Sequence, residues 1–374
     1  NTLRRFYNLL PSTKTSIKTF NTLAQFIGYK NYIDFTQNYK YKEKINITEI
    51  IYRSVAKNKP EVIVNLVKKT KKSSEDFTSL IIILIRELWH NRNFKLIDRI
   101  FNLKALNFNS FSYDEVLKLG NSIGLLIRKK DKLHPLLLNN INFLDCVFLI
   151  FVDYSSLNKY YGDTLEIIKK NNVRYDITLF SKAVLEFRNF INNTKIKDFD
   201  IDKPHKKQLH SILIGRLLSL KLLSANPDKA IEIINTHHKS LPLKVDLISN
   251  YYEVFTTTIL LKNIEIMSFL IDKVESKIDF YYQNSQLNSF YLMCLFYYRL
   301  AGDLENETKF FKAFKLNDCR HSYEEFISLL YLIYEYDSTT TKTKKITLRT
   351  RYKSLSKKLN YSFFSEDFLL KYFN

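Results

Sequence analysis

The sequence predicts an all-α, right-handed helical-repeat solenoid with a small N-terminal helical unit, and three observations carry the prediction. Only six Gly and six Pro occur in 374 residues, too few for the tight turns of all-β and doubly wound α/β folds. Hydrophobic residues make up 45% of the chain, which excludes a disordered polypeptide. From about residue 45 onward, long amphipathic segments alternate with short polar breaks. Most neighbouring breaks lie roughly 31–40 residues apart, the period of stacked helix pairs.

Residues 1–44 form the N-terminal unit and residues 45–374 the repeat array. Thr2 to Leu10 carries Leu3, Phe6, Leu9 and Leu10 at helical spacing, and Pro11 ends it. Phe20 to Ile27 is again helical, and Gly28 stands where a helix C-cap needs a left-handed residue. Asn31 is placed to cap a third short helix, Asn31 to Gln37, with Tyr32, Ile33 and Phe35 on it. The runs T-L-R-R-F-x-x-L-L and T-F-N-T-L-A-Q-F-I-G-Y-K-N-Y-I-D-F resemble a helix-turn-helix-like opening segment of poorly characterised bacterial proteins. The resemblance covers about a tenth of the chain and implies a DNA-binding head. The third helix offers few base-reading groups, so a capping subdomain packed on the first repeat is the alternative.

The breaks of the array fall at Lys57 to Pro60, His90 to Asn93, Lys129 to Lys132, Asn158 to Asp163, Ala225 to Asp228, Leu261 to Asn263 and Ala301 to Asp303. A weaker one lies near Asn192. Four units are clearest. Leu209 to Ser224 pairs with Lys229 to His238, and Val245 to Leu261 with Ile264 to Lys277. Ser289 to Leu300 pairs with Leu304 to Leu316, and Tyr323 to Tyr336 with a basic helix after Asp337. Pro227 suits a first helical turn. The stretch F-Y-Y-R-L-A-G-D-L-E-N-E-T-K-F-F-K-A-F within Ser289 to Leu316 resembles a tetratricopeptide repeat, with bulky residues at most of that family's small positions. The resemblance implies stacked helix pairs whose concave face binds a protein or peptide. The repeat signature of pentatricopeptide RNA binders is not visible.

The net charge is +20. It favours a polyanionic partner, whether nucleic acid, an acidic protein surface or anionic lipid; compositional drift toward Lys is the alternative. Cys146, Cys294 and Cys319 are widely spaced and odd in number, as in a reducing, cytoplasmic setting. The chain opens on Asn1 rather than Met, the pattern of a processed form or part of a longer product, and no signal peptide opens it. Its longest apolar runs fall far short of the ~20 residues of a membrane span.

Phosphate-cradling loops, the nucleophile elbow and the zinc motifs are absent from the sequence. Gly120 and Gly124 are spaced for close helix packing. Cys319 and His321, and the pair His237 and His238, are weak candidates for catalysis or metal binding. Asp198 to Asp202 lacks the Gly and Glu of a calcium loop and reads as an acidic linker. The expectation is a binding protein rather than an enzyme, with no cofactor and no metal.

Its sharpest charged feature is the span holding Lys342, Lys344, Lys345, Arg349, Arg351, Lys353, Lys357 and Lys358 without one acidic residue. Interleaved apolar residues dock such a helix while cations face outward. Lys68 to Lys72 and Arg128 to Lys130 are smaller clusters. The first expected function is a scaffold whose repeat surface, with Tyr251, Tyr252, Tyr297 and Tyr298 as groove candidates, engages an acidic protein within a larger assembly. The alternative is a nucleic-acid-binding protein or regulator that uses this basic helix together with Arg4, Arg5, Lys14, Lys18 and Lys30 on phosphates.

Overall fold

Helical spacing in the sequence becomes helix throughout the computed structural model, which describes residues 16–70, 77–128, 133–196, 211–241, 246–277, 285–319 and 321–374; no strand occurs among them. The expected helix Thr2 to Leu10, the break Lys129 to Lys132 and the linker Asp198 to Asp202 lie outside the described residues. The chain divides into two compact units, residues 1–105 and 106–374. Among the described residues no helix is long and apolar enough to cross a membrane.

The first unit is built from its caps. The Ser16 side chain accepts from Thr19 N and opens α1 (Ile17–Phe26). Gly28 then takes φ +90°, a conformation that costs glycine little. Asn31 Oδ1 accepts from Asp34 N at 2.9 Å and opens α2 (Tyr32–Ala56). That helix does not stop at Gln37. No Gly or Pro occurs before Ala56 to end it, so the change of pattern expected after residue 44 falls inside one 25-residue helix. Phe20 stacks on Tyr32 at 4.7 Å, and Tyr32, Phe35 and Tyr39 stack along α2. Asn58 takes φ +46°, and Pro60 starts α3 (Pro60–Lys69). With α4 (Phe77–His90) and α5 (Phe94–Phe101), α3 buries Ile63, Val67, Ile81, Ile85, Leu88 and Ile97. Arg99 grips Glu61 with both terminal nitrogens at 2.6 and 2.9 Å.

In the second unit, α6 (Tyr113–Arg128) carries Gly120 and Gly124, and the close packing expected of them is present. A Cβ on Gly120 would lie 2.6 Å from Ile150, and one on Gly124 would strike the Phe151 ring. After a π-helical turn at Leu144–Phe148, residues 149–159 are irregular until α7 (Tyr160–Asn171) begins. The break expected at Asn158 to Asp163 therefore sits earlier. Gly162 does not interrupt a helix; it is buried within α7, where a Cβ would strike the Leu157 carbonyl. Residues 150–157 are all buried, and a buried irregular backbone must find partners elsewhere. Tyr361 Oη donates to the Tyr154 carbonyl and accepts from Leu157 N at 3.1 Å. Tyr161 Oη donates to the Phe148 carbonyl, and Asn158 Nδ2 donates to the Asn360 carbonyl at 2.7 Å.

The remaining helices are α8 (Tyr175–Ile191), α9 (Ser211–Ser224), α10 (Pro227–Ser240), α11 (Leu247–Leu261), α12 (Ile264–Val274), α13 (Ser285–Ala301), α14 (Leu304–Ala313), α15 (His321–Ser338), α16 (Lys342–Leu359) and α17 (Glu366–Lys371). The expected turns are present. Asn226 caps α10, with Pro227 at its first position. Lys262 takes φ +52° before Asn263 caps α12. Gly302 takes φ +72° before Asp303 caps α14. Helices α9, α11 and α13 pack side by side, while α10, α12 and α14 each fold back on the helix before them. Helix α11 is buried nearly all round, and its Thr257 and Thr258 hydroxyls donate back to the Glu253 and Phe255 carbonyls at 2.9 and 2.8 Å.

Gly215 sets the approach of α9 to α11, since a Cβ there would strike the Asn250 backbone carbonyl. Gly215→Ala is expected to lower the unfolding free energy by about 1–3 kcal/mol, the cost of overpacking a seam. Urea denaturation followed by circular dichroism measures it, and an unchanged midpoint would contradict this packing.

Candidate functional site

The span of eight cations is one helix, α16. Leu348, Tyr352 and Leu359 are its buried residues and seat it on the body of the unit. Tyr352 Oη donates to the Ser365 carbonyl at 3.3 Å, and Ser356 Oγ to the Phe364 carbonyl at 2.7 Å. The helix ends at Asn360, with φ +58°. Two carboxylates take up three of the cations. Glu366 pairs with Arg349 and, at 2.6 Å, with Lys353. Glu325 pairs with Lys358 at 2.7 Å and lies 3.6 Å from Arg128. Hydrogen bonds from Lys353 and Arg349 hold the Glu366 carboxyl below its ordinary value of 4.5. Lys345 stands 5.2 Å from the Tyr336 ring centre, within cation–π range. Lys342, Lys344, Arg351 and Lys357 are exposed, and no ion pair among the described residues involves them.

Within residues 106–374 this charge is not a general drift. Residues 106–374 hold 38 Lys and Arg against 30 Asp and Glu, and α16 alone contributes eight cations and no acid. The rest of that unit is therefore neutral. The helix also breaks a local rule. Lys342, Lys344 and Lys345 crowd its N-terminal end, where the dipole favours acids, and no side chain caps it.

The groove candidates are placed otherwise than expected. Tyr251 and Tyr252 are 0% and 1% exposed, and Tyr298 is buried against Phe310. Only Tyr297 reaches the surface in part, its hydroxyl 3.3 Å from Ser268 Oγ. The cause is α11 itself, which is flanked by α9 and α13 and covered by Tyr154 and Tyr323. Tyr252 lies 5.0 Å from the Tyr323 ring, and Tyr251 Oη is 2.9 Å from His238 Nδ1. Such positions line a core, not an open groove.

At that core stands a cluster that sequence reasoning passed over. Arg216 of α9 and Glu253 of α11 are both about 1% exposed and form an ion pair. Glu253 also accepts from Tyr154 Oη at 2.9 Å and from Tyr323 Oη. The Arg216 guanidinium lies 4.8 Å from the Tyr154 ring and 4.3 Å from that of Phe187. Burial pushes the Tyr154 and Tyr323 phenols up, so both stay protonated and donate. Nearby, burial raises the Asp153 carboxyl in spite of Tyr160 and Arg128 beside it. The available signal was a charged residue inside each of two apolar helices, S-I-L-I-G-R-L-L-S-L and N-Y-Y-E-V-F. The cluster ties α9, α11, α15 and the irregular segment together.

Of the N-terminal cations, Lys18 and Lys30 are exposed; Arg4, Arg5 and Lys14 lie outside the described residues, as do Lys71, Lys72, Lys129 and Lys130. Lys68 and Lys69 are exposed at the end of α3. Tyr32 and Phe35 are half-buried in the aromatic stack. The three cysteines are buried and free; burial raises Cys294 well above its usual range and pushes Cys319 up to about 12. His321 turns to Glu324 at 3.1 Å. Burial lowers His237 and His238. No group of three metal-ligating side chains comes together among the described residues. No family model, curated protein or solved structure matches the chain.

Two outcomes follow from this geometry. Arg216→Met leaves a buried carboxylate without its cation and is expected to cost about 3–5 kcal/mol in urea denaturation, while Arg216→Met with Glu253→Leu recovers much of it. A single variant as stable as wild type would deny the pair its place in the core. Glu366 adds stability above 4.5 that is lost as pH falls through its lowered folded value. Its carboxyl carbon, followed by NMR, should titrate below 4.5 and return toward 4.5 in Arg349→Gln with Lys353→Gln; equal midpoints would refute the bridge.

Proposed function

We propose that this chain is a non-enzymatic binding protein, built on stacked helix pairs of tetratricopeptide-like kind, that takes a polyanionic partner on α16. One observation carries the reading: the excess positive charge of residues 106–374 equals that of α16 alone, and Lys342, Lys344, Arg351 and Lys357 stand exposed on it without carboxylate partners among the described residues. Like charges four apart and lysines at a helix N-terminus each cost a few tenths of a kcal/mol. A sequence keeps such conflicts where function demands them. An acidic protein within a larger assembly fits the charge, and so does nucleic acid. A peptide held beside Tyr251 and Tyr252 does not fit their burial. In the N-terminal unit, Lys18 and Lys30 offer phosphate contacts, whereas Tyr32 and Phe35 are occupied in packing.

The test compares wild type with Lys342→Gln, Lys344→Gln, Arg351→Gln and Lys357→Gln combined, titrated against labelled heparin, DNA and polyglutamate over a salt series. Among the described residues these side chains form no hydrogen bond or ion pair, so the helical circular dichroism should be unchanged. Wild type is expected to bind at least one polymer with steep salt dependence. The variant should bind it more weakly, with a log–log salt slope flatter by about 3–4 for a duplex. Equal slopes would remove α16 from the interface.

A further inference from the structure

The cations of α16 flank its outward Thr/Ser strip, with Lys357 the one nearest the outward direction. With 3.6 residues per turn, the buried Leu348, Tyr352 and Leu359 mark one face of the helix. Opposite them run Thr343, Thr347, Thr350 and Ser354, all exposed. The Thr347 and Thr350 hydroxyls donate back to the Thr343 and Ile346 carbonyls at 3.2 and 3.0 Å, so this strip stands low. Along one flank of it lie Lys342, Arg349, Lys353 and Lys357, with the exposed Ile346 among them. Along the other, spaced by seven, lie Lys344, Arg351 and Lys358. Each flank keeps two cations that no described carboxylate engages: Lys342 and Lys357 on the first, Lys344 and Arg351 on the second.

We propose that α16 docks in the major groove of duplex DNA, with the Thr/Ser strip toward the base edges and one row of cations on the phosphates of each strand. The inference rests on the reading of α16 as the polyanion-binding surface and narrows the partner to one class. A helix with its side chains is about 10–12 Å across, and the B-form major groove is about 12 Å wide. Each row extends about 21–22 Å along the axis at 1.5 Å per residue, enough to meet several phosphates. Two rows directed apart match two strands on either side of a groove. An acidic protein face laid on the strip would leave both rows pointing past it, and a single strand offers one line of phosphates to two rows. The A-form groove of duplex RNA is too deep and narrow to admit the helix. Threonine and serine hydroxyls bond to any base edge, so preference for the duplex is expected without a strict sequence requirement.

The experiment uses the full chain and fluorescence anisotropy with four labelled probes: duplex DNA, duplex RNA and single-stranded DNA of equal length, and polyglutamate, each over a salt series. Thr350→Trp keeps all eight cations and raises a bulky ring from the strip; because Thr350 is exposed, circular dichroism should match wild type. Duplex DNA is expected to bind tightest. Thr350→Trp should weaken duplex DNA by roughly tenfold or more as phosphate contacts are lifted, and leave polyglutamate unchanged. Lys342→Gln with Lys357→Gln, and Lys344→Gln with Arg351→Gln, should each flatten the duplex salt slope by about 2. Equal affinity for all polymers with no effect of Thr350→Trp would overturn groove docking while leaving polyanion binding intact. Tighter binding to polyglutamate than to duplex DNA would overturn it in favour of an acidic protein. No binding to any probe at low salt would remove both readings.

Discussion

Arg216 and Glu253 are charged groups held out of water, and the larger unit is arranged around the need to compensate them. The effective cost of burying each ion is several kcal/mol, so the pair persists only where attraction and hydrogen bonds return that cost. Glu253 gathers Tyr154 and Tyr323 as donors, and the flat Arg216 guanidinium lies against the Tyr154 and Phe187 rings. Those partners come from three separate parts of the chain, α8, α15 and the irregular segment, and the pair itself joins α9 to α11. Gly215, next to Arg216, lets α9 close on α11.

Around this centre the surface divides by charge. Most of the unit balances its acids and bases, while α16 departs from balance and from the usual preferences of a helix N-terminus. Glu366 and Glu325 serve as anchors; they orient Arg349, Lys353 and Lys358 and relieve part of the repulsion along the helix. The apolar face decides where α16 sits, the two acids steady it, and the remaining cations are left facing water.

The features legible in the sequence were those decided within a few residues. Asn31, Asn226 with Pro227, and Gly302 with Asp303 mark helix ends because a cap acts on the next turn of its own helix. The docking face of α16 was legible for the same reason, since Leu348 and Tyr352 repeat at helical spacing. What remained hidden depended on distant partners. Tyr251 and Tyr252 look like surface tyrosines until α9, α13 and Tyr323 are brought against them. Gly162 reads as a breaker, yet it serves a close approach to Leu157. Glu325 meets Lys358 across 33 residues, and no local pattern announces that meeting. The length of α2 was missed because a helix continues wherever nothing stops it.

The bond from Tyr361 to the Tyr154 carbonyl joins positions 207 residues apart. A growing polypeptide emerges from the ribosome in order, at about 5–20 residues per second. The inner segment at Tyr154 therefore waits on the order of ten seconds or more for the side chain that satisfies its backbone. During that interval α9, α11 and α13 are made in turn and begin to stack, while the irregular segment still lacks this partner. Until Tyr361 has been made, the interior at Tyr154 lacks the hydroxyl that closes it.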